Sequence, residues 1–370
     1  MEGRASSWLH RAIVACAVLF AAFTGFRAVS LWCTTLQSVS ITDGFHRRFL
    51  VGTLLRPLAT VTDFDYWLFA SFSYAVLLAV VFVIARVALT SPVFARRVLA
   101  IVWLLLPTGG FLFHEVGYFE QVLYLLLFGA FALVQREKLV AATVLISLAP
   151  LVHEITALTV LPIYIAIVCW NPGWMRRWWM LAPPIVVNAV VLVIAPANGL
   201  AVGRLVERLT AANAKFRTDA LDLFNRSQAE SRALFDVGEQ LERIVPVVLV
   251  LVAAFAAFWL LRAERRAQWF RLLLACGAIA GPGLLAFGGW DSNRWVFFVI
   301  CNFFLMLYLA FDDDTSIGRG ELLVLVAAMV LVTRIPLYYF DEKSPRTLGI
   351  PELKAFLRDV RRASFWTPKY

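Results

Sequence analysis

The sequence predicts an all-α protein, a polytopic bundle of about eleven membrane-spanning helices. Of its 370 residues, 61% are hydrophobic, and the mean hydropathy is +0.77. Long apolar segments alternate with short polar ones, and each helical crossing needs roughly 20 apolar residues, or fewer where its ends reach the headgroups. The fourth to sixth segments are so closely spaced that two of them could be re-entrant. The predicted spans are residues 9–33, 66–90, 98–113, 119–134, 139–152, 155–170, 178–196, 244–262, 270–288, 296–311 and 321–339.

The orientation of the bundle follows from its basic loops, since Arg and Lys collect on the cytoplasmic side. Alternate connections are basic at 96–97, 136–138, 176–177 and 262–271 and are therefore assigned to the cytoplasm, whereas the turns at 114–118 and 153–154 contain no Arg or Lys. An odd number of spans places the basic C-terminal tail, residues 341–370, outside. This conflicts with the charge rule, but tails of this length often cross regardless of charge. Short loops and no further targeting segment favour a bacterial inner membrane.

One integral membrane domain, residues 1–370, is expected, with a single long polar connection at 197–243. Leu205, Leu209, Ala212 and Phe216 recur there at helical spacing, which predicts an amphipathic helix on the outer interface. Residues 201–243 carry seven basic and seven acidic side chains. Such a segment could be a lid over a site or a solvated connector, and the sequence favours neither.

Charge, cysteines and motifs exclude several function classes. The net charge of +9 is explained by cytoplasmic loops that contact anionic lipids, so no nucleic-acid partner is expected. Five scattered cysteines do not form a disulfide framework. The absence of a phosphate-binding loop, HExxH or GxSxG motif argues against nucleotide-driven transport, zinc proteolysis and serine hydrolysis.

The first polar cluster follows the first predicted span and contains Asp43, Arg47 and Arg48. Asp43 is a candidate catalytic base, and the arginine fork suits bidentate binding of a phosphate. If residues 44–56 are helical, Arg48 and Arg56 form one basic stripe. The alternatives are a turn cap for Asp43 and membrane-surface anchors for the arginines.

The second cluster ends the third predicted span and contains His114, Glu115 and Glu120. The preceding Pro107 and glycines loosen the helix and allow close backbone approach. A charge near the start of a span is costly unless it has a partner or faces water. These residues are therefore candidates for catalysis or substrate binding, or Glu120 forms a structural salt bridge to Arg48 or Arg294.

Two further groups fall on the same predicted face. His153 and Glu154 follow Pro150, and Asp291 and Arg294 lie between Trp290 and Trp295. Histidines with carboxylates could bind a divalent metal, although a turn histidine is more often structural. Arg294 is the preferred phosphate contact, and the tryptophans suit either sugar stacking or an interfacial belt.

This layout resembles the glycosyltransferase C superfamily, polytopic enzymes that take sugars from polyprenyl-phosphate donors at the extracytoplasmic face. The matching features are Asp43 in the first outer loop, acidic residues around Glu115 and Glu120, and the late Arg294. The chain departs from the family in having a lone acid in that loop, where many members carry two, and in having no large outer C-terminal domain.

The resemblance implies roles for the clustered residues. Asp43 would be the base, and Glu115 would orient the acceptor or replace Asp43. Arg47, Arg48 and Arg294 would neutralise the lipid phosphate, while His114, His153 and Glu154 would shape the sugar pocket or hold a metal. The implied partners are a polyprenyl-phosphate-linked sugar, a glycan or lipid acceptor of the cell envelope, and membrane lipids, at a site facing the periplasm or exterior.

Two other functions fit the same pattern. A polysaccharide or O-antigen polymerase would also join lipid-linked sugars outside, but from a diphosphate-linked glycan. A transporter or flippase of lipid-linked sugars would need polar residues through the whole bundle, and the predicted mid-span interior offers little beyond Arg27, Asn188 and Asn302.

Overall fold

The computed structural model describes most of the chain as helices joined by short connections. The described residues are 2–45, 47–170, 173, 176–194, 199–224, 230, 232–289, 291–311, 317–335, 337 and 345–361, and they contain no β-strand. His46 and Trp290 lie outside the described residues, as do 341–344 and 362–370 of the tail.

The helices are numbered in chain order, and short 3-10 helices lie at Ile41–Asp43, Glu154–Ala157, Trp178–Met180, Asp222–Phe224 and Gly281–Phe287. The α-helices are α1 (Glu2–Gly25), α2 (Leu31–Gln37), α3 (Phe49–Val61), α4 (Tyr66–Thr90), α5 (Phe94–Leu105), α6 (Pro107–His114), α7 (Glu120–Gln135), α8 (Leu139–Ser147), α9 (Ala149–Val152), α10 (Val160–Trp170), α11 (Ala182–Ile194), α12 (Gly199–Ala211), α13 (Thr218–Leu221), α14 (Val237–Leu260), α15 (Ala263–Arg266), α16 (Trp269–Ala280), α17 (Ser292–Ala310), α18 (Arg319–Arg334) and α19 (Ile350–Arg361).

Five of the described helices are long and apolar enough to cross a membrane, so the chain is an integral membrane protein with an all-helical fold. They are Trp8–Gly25, Tyr66–Thr90, Val237–Leu260, Trp269–Phe287 and Ser292–Ala310. The pair α5 and α6, bent by 61°, forms a possible sixth. The predicted count of eleven is not confirmed, because other apolar segments form shorter helices. The first predicted span, 9–33, was too long, since its helix ends at Gly25.

The bend between α5 and α6 has a local cause. Leu106, which precedes Pro107, is extended at φ −81° and ψ 165°, as expected for a residue before proline. Pro107 then begins α6, where its missing N–H costs nothing. The glycines that follow allow the close approach expected from the sequence: a Cβ at Gly25 of α1 would lie 1.7 Å from the Gly110 carbonyl oxygen.

Gly25→Ala is therefore expected to destabilise the fold. A side chain at Gly25 must push α1 away from α6, and such overpacking costs about 1–3 kcal/mol. Thermal unfolding in detergent measures the effect. The matched control is Gly277→Ala in α16, where an added Cβ meets no atom of a neighbouring described element within 4 Å and alanine should gain up to about 1 kcal/mol. Equal unfolding midpoints for the two variants would contradict this account of the α1–α6 contact.

Helix α17 forms the centre of the bundle. It is buried over 78% of its length and carries apolar side chains on all sides, as expected of a helix enclosed by others. Phe297 stacks on Phe111 of α6 with ring centroids 4.6 Å apart. Because Arg294 is in the first turn of α17, the packing places its guanidinium inside the bundle.

The long polar connection and the C-terminal tail contact the same end of the bundle. The predicted amphipathic helix is present as α12, with Leu205 and Leu209 buried, although it ends before Ala212 and Phe216. In the tail, the Arg346 guanidinium donates to the carbonyl oxygens of Phe23 and Phe26 at 3.0 and 3.1 Å. Arg346 thereby satisfies carbonyls that the end of α1 leaves without helical partners.

Candidate functional site

The predicted site residues form two ion-pair clusters at one end of the bundle, called here the site end. The Asp43 cluster comprises Asp43, Ser40, Arg56, Arg204 and Arg208. The inner cluster comprises Arg47, Arg48, Glu120, His153, Glu154 and Arg294. His114, Glu115 and Asp291 lie beside the inner cluster. The structure brings these residues together at one end of the bundle, whereas their partners differ in part from those expected.

Asp43 is held in place by its own turn and by a distant helix. It is 3% exposed and ends the 3-10 helix Ile41–Asp43. Its Oδ2 accepts hydrogen bonds from the backbone N–H and the hydroxyl of Ser40, each at 3.0 Å. Its Oδ1 is paired with Arg208 of α12. Asp43 is therefore a turn cap, as one alternative proposed, and also the anchor of an ion pair.

Three arginines contact Asp43, two of them at its carboxylate and one at its backbone oxygen. Arg56 Nη1 is 3.8 Å from Asp43 Oδ1, and Arg204 donates to the Asp43 backbone oxygen at 2.8 Å. Arg208 also donates to the Ser38 carbonyl at 3.1 Å. The sequence analysis missed Arg204 and Arg208. Arg204 and Arg208 are four residues apart, so they lie side by side on a helix, where like charges repel unless an anion lies between them. This spacing could have indicated a nearby carboxylate.

Arg48 forms an ion pair with Glu154. It does not lie in a basic stripe with Arg56. The condition for that stripe, a helix over residues 44–56, is not met: α3 begins at Phe49, and Arg48 precedes it in the left-handed conformation at φ 68°. This turn directs Arg48 to Glu154, to which it donates from Nε and Nη2 at 3.0 and 2.6 Å. Arg47 lies 3.8 Å from the same carboxylate.

His153 links the two ion pairs of the inner cluster. Its Nδ1 is 3.0 Å from Glu154 Oε2, and its Nε2 is 3.2 Å from Nη2 of Arg294. Since a guanidinium only donates hydrogen bonds, Nε2 is the acceptor toward Arg294. Nδ1 lies between the Glu154 carboxylate and the backbone N–H of Ile155, from which it accepts at 3.3 Å. Burial, with Arg48 and Arg294 nearby, lowers the pKa of His153 to about 4, although Glu154 opposes this. The imidazole is therefore neutral at pH 7.

Arg294 forms a buried ion pair with Glu120, one of the two partners expected for that glutamate. Both Nε and Nη2 contact Glu120 Oε1, and the guanidinium lies 4.6 Å from the Tyr118 ring centroid. Glu120 is 2% exposed, and its second oxygen, Oε2, is buried and accepts no hydrogen bond from the part of the chain that the structure describes.

Glu115, His114 and Asp291 flank the inner cluster. Glu115 is 5% exposed and caps the C-terminus of α6, with His114 Nε2 3.9 Å from its Oε1. Asp291 is the N-cap of α17 and accepts from the Arg294 backbone N–H at 3.3 Å. Burial raises the pKa of Asp291, although Arg294 opposes this. Trp295 is 5% exposed, so it packs within the protein rather than in an interfacial belt.

The loop between α6 and α7 is fixed by residues that the sequence analysis did not single out. Gln37 donates to the Gly117 carbonyl at 2.6 Å and to Ser73 at 2.9 Å. Gln121 donates to the carbonyls of Glu115 and Leu112. Gly117 has φ +96°, which favours glycine. Nothing in the local pattern signalled Gln37, since its partners are 36 and 80 residues away.

The possible divalent metal site gains no support from the arrangement of side chains. Within the described ranges, no group of three or more His, Cys, Asp and Glu residues is arranged to hold a metal ion. Both ring nitrogens of His153 already contact protein groups.

Comparisons with protein-family models, curated proteins and solved structures found no match. The function therefore has to be inferred from the chemistry of this chain's own residues.

Proposed function

We propose that the chain is a membrane glycosyltransferase that moves a sugar from a polyprenyl-phosphate donor to a glycan or lipid acceptor of the cell envelope. The observation that carries the proposal is the surplus of positive charge around a buried carboxylate at the site end. Arg56, Arg204 and Arg208 all lie around Asp43, which leaves a net charge of about +2 there at neutral pH. Planar guanidinium groups suit the oxygens of a phosphate.

In this proposal, the donor phosphate binds Arg204 and Arg208 and thereby releases Asp43. Arg208 occupies Asp43 Oδ1 in the structure, so an anion that competes for Arg208 frees that oxygen to act as a base. The proposal thus shifts the phosphate contact from Arg294, which is paired with Glu120, to α12. The long connection would then act as a lid rather than as a passive connector.

The transfer step needs one base and one cationic site. The acceptor hydroxyl attacks the anomeric carbon of the sugar, and the bond from that carbon to the phosphate oxygen breaks. The hydroxyl proton passes to Asp43. Polyprenyl phosphate leaves with the bonding electron pair and is stabilised by the arginines. Glu115 and Glu120 would orient the acceptor, and His153 and Glu154 would shape the sugar pocket.

A panel of lipid-linked donors tests the proposal. Purified protein in liposomes is supplied with radiolabelled sugars on polyprenyl monophosphate or on polyprenyl diphosphate, together with cell-envelope acceptors. The proposal expects label to move only from the monophosphate donors. Elongation of diphosphate-linked glycans would instead favour a polymerase, and movement of an intact donor across the bilayer would favour a transporter. Either outcome would overturn the transferase proposal.

A further inference from the structure

A cavity of about 600 Å³ lies between α4, α5, α7 and α17. Its walls are mainly aliphatic and aromatic. Its deep end reaches Tyr124 and Cys301, and its other end is bordered by Arg86, Arg96 and Arg136. The arginines belong to the opposite end of the bundle from the site end, since Arg136 follows the last residue of α7 whereas Glu120 is the first. This cavity is therefore distinct from both ion-pair clusters.

The dimensions of the cavity match one leaflet of a bilayer. From Tyr124 to Arg136 there are twelve residue steps along α7, about 18 Å at 1.5 Å per residue. Half of a hydrocarbon core of about 30 Å is about 15 Å. An acyl chain that entered between the arginines would thus end near Tyr124.

The mouth of the cavity is positively charged, and its described lining residues include no carboxylate that would neutralise this charge. Among the described residues that line the cavity, three are arginines and none is Asp or Glu. Arg86 and Arg136 are exposed. Arg96 is held in place, because its Nε donates to the Tyr308 carbonyl at 3.0 Å and its guanidinium lies 4.6 Å from the Tyr308 ring centroid.

We propose that this cavity binds an anionic phospholipid, with one acyl chain against the apolar walls and its phosphate at Arg86, Arg96 and Arg136. An apolar cavity of one-leaflet depth with a cationic rim matches the two parts of such a lipid. The sugar donor of the proposed function would have its phosphate at the other end of the bundle. The lipid site therefore does not depend on that function, and its test measures binding only.

Lipid retention tests this site. The purified protein is stripped of lipid in detergent and titrated with phosphatidylglycerol or phosphatidylcholine of identical acyl chains, and bound lipid is counted by native mass spectrometry. Phosphatidylglycerol is expected to bind at least about tenfold more tightly, which corresponds to about 1.4 kcal/mol. The double variant Arg86→Gln/Arg136→Gln should remove this preference. Arg266→Gln is the matched control, because Arg266 is an exposed arginine outside the cavity.

A second variant separates the cavity from the charged surface. Ala132→Phe places a large side chain in the cavity wall and should abolish binding of both lipids while leaving the arginines in place. Unchanged lipid binding by Ala132→Phe would show that the lipid binds elsewhere. Equal affinity of the wild type for the two lipids, or loss of the preference in Arg266→Gln, would also overturn the proposal.

Discussion

Asp43→Asn is expected to abolish sugar transfer while leaving the protein folded in the membrane. The substitution keeps the shape of the side chain and its acceptor oxygen toward Ser40, but an amide does not take up the proton of the acceptor hydroxyl. Loss of a general base lowers the rate by about a hundredfold or more. Initial rates with a saturating polyprenyl-phosphate sugar measure the effect. They are compared between wild-type and variant proteins that unfold at the same temperature.

The control is Arg208→Gln, which breaks the same ion pair from the other side. If Asp43 serves only to hold α12, then the two variants should lose activity equally. If Asp43 is the base, Arg208→Gln should raise the KM for the donor, because a phosphate contact is lost, but keep a measurable kcat. Normal turnover by Asp43→Asn, or equal losses of kcat in both variants, would remove Asp43 from the base role.

Arg294→Ala is expected to be among the most destabilising single changes in the chain. It leaves Glu120, which is 2% exposed, as a buried carboxylate without its cation, and breaking a buried pair from one side costs about 3–5 kcal/mol. The double variant Glu120→Gln/Arg294→Gln removes both charges and should recover much of that loss. Thermal unfolding of the wild type and both variants in one detergent measures how much of the loss is recovered.

An exposed ion pair provides the comparison. Arg243 and Glu239 lie one helical turn apart, with side chains 55% and 57% exposed, so Arg243→Ala should cost less than about 1 kcal/mol. The account of the inner cluster would be wrong if Arg294→Ala and Arg243→Ala lowered the unfolding temperature equally, or if the double variant were less stable than Arg294→Ala.

The grouping of the candidate residues at one end of the bundle could be expected from the sequence, because it depends only on the alternation of apolar and polar segments. Asp43, Glu115, Glu154 and Arg294 each follow or begin an apolar segment, and that placement brought them to one end of the bundle. The number of membrane spans was harder to predict from the sequence. Hydropathy sums do not register a break such as that before Pro107, which divides one predicted span, 98–113, into two short helices.

The partners within the site could not be predicted, because they join distant parts of the chain. Arg208 pairs with Asp43 across 165 residues, and Arg294 pairs with Glu120 across 174. The left-handed turn at Arg48 also reversed a local expectation, since helical spacing assigned Arg48 and Arg56 to one stripe. Helix periodicity and charge pattern are local features of the sequence. They do not specify the long-range contacts that form these ion pairs.

The most direct test of the central claim is the release of polyprenyl phosphate by the purified wild-type protein in liposomes that contain a polyprenyl-phosphate sugar and an acceptor. The account predicts that polyprenyl phosphate and the glycosylated acceptor appear in equal amounts, and that neither appears with Asp43→Asn. If every monophosphate donor remained intact in the presence of folded wild-type protein and acceptor, the chain would not be the proposed glycosyltransferase.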